Sequence, residues 1–143
     1  MTSPMIALKT ATIEALKADA ALAALVGAKI YDEVPRDERG DPSDAAAPYL
    51  FLGAMRWGDF EIGCNPGLDV VVELHAVSTK FGREECWQIA EAVRHALEWR
   101  ELTLAGGHLM TPYRRRSGGD AISPLFPKQA YVALRTQLSE ALT

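Results

Sequence analysis

The sequence predicts an α+β domain, a mainly antiparallel sheet of about four to five strands with two helices packed on one face. Three observations predict it. Residues 68–77 alternate: Leu68, Val70, Val72, Leu74 and Ala76 share one side of a strand, and Asp69, Val71, Glu73, His75 and Val77 share the other. The period then changes. Cys86, Ile89, Ala90, Val93 and Leu97 recur at helical steps and form one apolar stripe, with Glu84, Glu85, Gln88, Glu91 and Glu98 on the polar side. Lastly, the patterns come in blocks of helix, strands, helix and strands, without the regular alternation of a parallel α/β fold. An apolar strand face and an apolar helix stripe each need cover, and a helix laid on a sheet covers both.

The first helix is expected over residues 3–18. Ser3 caps it, and Pro4 suits the first helical position, where an N–H has no intrahelical partner to lose. Met5, Leu8, Ala11 or Thr12, Ala15 and Leu16 form its apolar stripe, while Lys9, Glu14 and Lys17 lie off it. A further helical turn over 20–25 closes at Gly27. A short strand, 29–34, stops at Pro35. Residues 36–47, RDERGDPSDAAA, have no apolar period and read as a long mobile loop. A second strand covers 48–57, residues 58–66 connect, and 68–77 is its antiparallel partner. The second long helix spans 81–99, with Ser78 or Thr79 as cap and Glu84 and Glu85 at its positive end. Ala105, Gly106 and Gly107 read as a tight hairpin turn between 102–104 and 108–113. Arg114, Arg115 and Arg116 follow, then an irregular segment to 127. The last strand, 129–138, places Ala130, Val132 and Leu134 on one face and Tyr131, Ala133 and Arg135 on the other.

Composition bounds the function. At 143 residues the chain reads as one domain, able to bury roughly two-thirds of its unfolded surface without staples. A net charge of −4 gives no general field for nucleic acid or acidic membranes. Cys64 and Cys86 fit neither a disulfide scaffold nor a zinc pattern, which points to a reduced, cytosolic protein with Cys86 in the core. No signal peptide and no bilayer-length apolar run is present. His75, His95 and His108 are scattered, and no metalloprotease, hydrolase or phosphate-loop motif occurs. Asp37, Glu38, Asp41 and Asp44 miss the calcium-loop spacing. No catalytic, cofactor or metal site is therefore expected, and the chain is not expected to be an enzyme.

The candidate functional surfaces are of another kind. Val71, Val77, Tyr131 and Ala133 alternate with charges on the second sheet face and are the candidate subunit interface. Arg36, Asp37, Glu38, Arg39, Asp41 and Asp44 in one loop, with Arg114, Arg115 and Arg116 in another, are candidates for lining a lumen or meeting a partner. The arginine run suits an acidic partner surface or phosphate.

Several segments together resemble the tail-completion, or tail-terminator, family of long-tailed phages and phage-derived gene transfer agents. They are ALAALVGAKIYDEVP (21–35), the strand opening Pro48-Tyr49-Leu50, LDVVVELHAVST (68–79), GREECWQIAEAVRHAL (82–97) and the C-terminal strand pair. The resemblance covers nearly the whole chain and implies a single tail-terminator-like domain over 1–143. It implies a structural protein of virion assembly and head-tail joining. Such a subunit forms a ring, commonly a hexamer, at the head-proximal end of the tail tube, where it stops tube polymerisation and offers a surface to the head connector. The implied partners are further copies of the chain, the tail tube protein and a head-tail connector protein. DNA passes through the ring without specific binding, and no membrane is involved. The protein would be cytoplasmic during assembly and then part of a phage-like particle. Two alternatives stand beside this reading. One is another head-tail connector ring, a stopper or adaptor. The other, of a different class, is a small-molecule-binding or DNA-binding α+β domain, the latter with strongly salt-dependent affinity for duplex DNA.

Overall fold

The computed structural model describes residues 3–62, 65–123 and 126–139. The elements in order are α1 (Pro4–Lys17), α2 (Ala20–Val26), β1 (Ile30–Tyr31), β2 (Tyr49–Ile62), β3 (Asn65–Ser78), α3 (Glu84–Leu97), β4 (Leu109–Met110), β5 (Arg114–Ser123) and β6 (Phe126–Ser139). Single 3-10 turns occur at Asp44–Ala46 and Ala105–Gly107.

The class is α+β, as expected, but the details differ. The sheet has six strands and is mixed, in the order β1-β2-β3-β6-β4, with β5 also paired to β6. β1 runs parallel to β2, with Ile30 opposite Leu50, while the other pairs are antiparallel. Among the described residues there are three helices rather than two, because the turn after α1 is a separate helix capped by Asp19 and closed by Gly27 at φ 62°.

The even residues of β3 face the helices. Val70, Val72, Leu74 and Ala76 meet Thr136, Leu134, Val132 and Ala130 of β6 across the ladder. Cys86, Ile89, Val93 and Leu97 of α3 bury their stripe against that layer, and Leu8, Leu16, Leu22 and Val26 of the first two helices close it. Each fully buried Leu or Ile contributes about 1.5–3 kcal/mol relative to exposure, so this single cluster holds the helices to the sheet.

Four local expectations are corrected. The β2–β3 hairpin extends beyond 57 and before 68, because Gly58–Ile62 keep pairing with residues 65–69 where the segment had read as a connection. Residues 114–123 are strand β5, not an irregular segment: this edge strand pairs with β6, with register shifts at Arg115/Ser117 and Ala121/Ser123. Residues 102–104 form no strand, so Gly106 and Gly107 make no hairpin; the Leu102 N–H goes to Met110 Sδ at 3.3 Å instead of entering a ladder. Finally, α3 has no side-chain cap, and Arg83 holds its N-cap position. The Ser78 hydroxyl donates to Glu85 at 2.7 Å, and it accepts the Lys80 N–H at 3.2 Å. Burial would raise the Glu85 carboxyl, but Ser78 and Lys80 outweigh it and hold that group below the usual carboxylate range.

Candidate assembly surface

The sheet face opposite the helices is built in rows set by the register. Phe51, His75 and Tyr131 lie side by side on β2, β3 and β6. Their rings stack, with centroids 5.0 Å apart between Phe51 and His75 and 5.7 Å between His75 and Tyr131. Tyr49 continues the series from Phe51 at 6.1 Å and meets Tyr31 edge-on at 6.0 Å. Two glycines make room for this row. A Cβ on Gly53 would lie 2.5 Å from the His75 ring, and one on Gly119 would lie 3.0 Å from the Tyr131 ring. The bulge between Leu52 and Met55 falls at the same place.

Four residues further along β3 and β6, a second row crosses the sheet: Arg56 on β2, Val71 on β3, Arg135 on β6 and Arg114 on β5. Together with Arg115, Arg116, Trp57 and Asp69 these side chains wall a groove of about 610 Å³. Arg135 grips Asp69 with both ends of its fork, at 2.8 and 2.7 Å, and this hydrogen bonding holds the Asp69 carboxyl below the usual range. Arg56 pairs with Glu73 at 3.2 Å. Arg114 lies over the Trp99 ring, 5.4 Å from its centroid. Among the described residues Arg115 and Arg116 have no ion-pair contact. Planar guanidiniums at strand spacing suit carboxylate or phosphate groups, which accept paired N–H donors. Trp57 and Trp99 are 59% and 65% exposed, so large apolar rings stand beside the charges.

The loop before β2 is not featureless. Arg36 and Pro42 form a bridge, and the Arg36 guanidinium donates to the Gly40 carbonyl at 2.8 Å. Asp37 Oδ1 accepts the backbone N–H of Arg39 at 2.9 Å and of Asp41 at 3.1 Å. Glu38, Arg39 and Asp41 point to solvent. Nothing is described of the Asp44 side chain, and Cys64 lies outside the described residues.

Of the four residues expected at a subunit interface, Val71 and Tyr131 are half-buried, whereas Val77 and Ala133 are already buried inside the subunit. Arg114, Arg115 and Arg116, expected on a loop tip, stand on strand β5. Sequence reasoning missed Arg56, Asp69 and Arg135 as their neighbours, because only strand pairing brings them together. Cys86 lies in the core, where burial pushes its thiol up. Among the described residues no group of acidic, histidine or cysteine side chains is arranged to hold a metal ion, and no helix is long and apolar enough to cross a membrane.

A family model described as "Tail completion protein gp17" matches residues 10–124. A chain of the solved structure titled "Virion of native gene transfer agent (GTA) particle" has the same fold: the TM-score is 0.83 at 24% identity, over 97% of this chain and 99% of that one. No curated protein sequence matches the chain.

Proposed function

The chain belongs to the tail completion protein gp17 family and is a phage tail structural protein; from that premise we propose that it forms a closed ring at the head-proximal end of a phage-like tail tube. The ring, commonly a hexamer in this family, ends tube polymerisation and presents a surface to the head connector. It assembles in the cytoplasm and remains in the particle, and DNA passes through it without specific binding.

The observation that carries the reading is the asymmetry of the sheet. One face is closed by the helices, while the other leaves Tyr131, Val71 and the arginine groove open. A ring needs two different, mutually complementary patches on every subunit, since head-to-tail contacts are heterologous. A structural subunit with this open face and an acidic loop elsewhere has the raw material for such a pair. The likeness to a chain of a gene transfer agent particle supports the same placement. Termination then follows from shape: a ring whose far side matches no tube layer cannot be extended.

The test is the solution mass of the purified protein by light scattering, with negative-stain images, before and after tail tube protein is added. Uniform rings that seat on tube ends are expected. Rings that ignore tube ends would assign the chain to a stopper or adaptor position. A monomer that stays single even with tube protein present would overturn the ring.

A further inference from the structure

Resting on the ring reading above, we infer that the arginine groove receives the acidic turn at residues 37–41 of a neighbouring copy of this chain. Charge is the first reason. Segment 32–44 holds Asp32, Glu33, Asp37, Glu38, Asp41 and Asp44 against Arg36 and Arg39. The groove holds Arg56, Arg114, Arg115, Arg116 and Arg135 against Asp69. A chain with a net charge of −4 thus gathers five of its 15 Lys and Arg residues in one place and six of its 19 Asp and Glu residues in another.

Position is the second reason. The acidic segment leaves β1 at one edge of the sheet, and the arginine triplet sits on β5 at the other. In a head-to-tail ring each copy offers one side to the next copy and the opposite side to the previous one. The acidic turn by the β1 edge and Arg115 and Arg116 on the β5 edge meet that requirement, while the rest of the groove reaches across the sheet to Arg56 on β2.

The detailed chemistry also matches. Inside the turn, Arg36 and Asp37 are occupied by backbone groups, which orders the turn in advance and leaves Glu38 and Asp41 exposed. Little conformational freedom is then lost on docking. In the groove, Asp69 and Glu73 already neutralise Arg135 and Arg56, and Arg114 stacks on Trp99. Among the described residues Arg115, which also borders Glu91 of α3, and Arg116 make no ion pair and remain for two incoming carboxylates. Trp and Arg are the side chains enriched at protein contact hot spots. The apolar Val71 and Trp57 among the arginines suit a protein segment as the occupant.

Charge reversal tests this. One variant is E38R/D41R and the other R115E/R116E, each purified alone and then mixed in equal amounts, with tail tube protein added where the wild type needs it. Assembly is read by light scattering and negative stain, and folding by circular dichroism. Each variant alone is expected to need about tenfold or more higher concentration than wild type to form rings. The mixture is expected to recover rings, because arginine loops then face glutamate grooves and acidic loops face arginine grooves around an alternating ring. A parallel pair, E38Q/D41Q and R115Q/R116Q, removes charge without adding repulsion and is expected to weaken assembly without rescue on mixing. Either reversed variant assembling like wild type, or no recovery in the mixture, overturns the inference and leaves the ring reading intact. R115E/R116E rings that form normally but lose wild-type affinity for duplex DNA would assign the groove to phosphate and likewise overturn it. A wild type that forms no ring under any of these conditions sinks the ring reading, and the inference with it.

Discussion

Deleting the hydroxyl of Thr12 should destabilise the protein more than deleting that of Tyr113, although the two groups share one hydrogen bond. Both side chains are buried, and their oxygens lie 2.8 Å apart. Thr12 Oγ1 lies 2.7 Å from the Leu8 carbonyl and donates its only hydrogen there. Tyr113 must therefore be the donor between the two. Tyr113→Phe removes that donor and leaves Thr12 still bonded to Leu8, a loss of about 0.5–1.5 kcal/mol. Thr12→Val leaves the Tyr113 hydroxyl buried without a partner, a loss of about 1–3 kcal/mol. The double variant has no orphaned group, so its cost should fall below the sum of the two by about 1 kcal/mol. Thr12→Ser keeps the oxygen and should retain most of the coupling. Urea unfolding of the wild type and the four variants provides the test, with a common slope as the check on two-state behaviour. Additive single and double losses would refute the assignment of donor and acceptor.

This contact bears on the surface as well as on stability. Tyr113 immediately precedes the arginine strand, and its backbone is tied to Trp99 at 2.6 Å and to Arg100 at 3.0 Å. Burial also raises the Tyr113 phenol above its ordinary value. The unfolded chain therefore releases this proton first. The stabilisation is complete below about pH 10 and declines as pH rises beyond it, and Tyr113→Phe should abolish that alkaline decline.

Gly53→Ala should cost about 1–3 kcal/mol in thermal or urea unfolding, because the new Cβ would meet the His75 ring at 2.5 Å and push it out of its stack between Phe51 and Tyr131. Asp69→Asn should cost no more than about 1 kcal/mol, since its pair with Arg135 is largely exposed. Because the Asp69 carboxyl is held low, its contribution is present above about pH 4 and is lost as pH falls through its folded value, so the difference between wild type and variant should shrink in acid. Cys86 should resist thiol reagents in the folded protein at pH 8 and react once urea unfolds it, as read by peptide mass mapping, because it is buried and its thiol is pushed up.

What the sequence reveals follows from where periodic burial exists. β3 and β6 carry one face into the core, so their alternation is visible, and α3 carries a clean stripe. Ser3 and Pro4 mark the start of α1, and Gly27 ends α2, because backbone geometry demands those residue types there. β5 is illegible for the opposite reason. It is an edge strand of arginines, Ser117, Gly118, Gly119 and Asp120, held by pairing to β6 and by contacts such as Asp120 with Arg83 and Trp87, each at 2.9 Å. No apolar period survives in such a strand. Towards the far end of the β2–β3 hairpin, residues 56–59 and 61 are exposed, and that stretch is hidden in the same way. The arginine groove depends on register: Arg56, Arg114 and Arg135 are distant in sequence and become neighbours only when the strands pair.

Growth of tail tubes in the presence of the purified chain tests the central claim most directly. Tube protein is polymerised with and without it, and both samples are imaged by negative stain. The account predicts ring density at one end of each tube and a tube length that stops increasing once that density is present. Tubes that lengthen as before, with bare ends and the chain left free in solution, would contradict it.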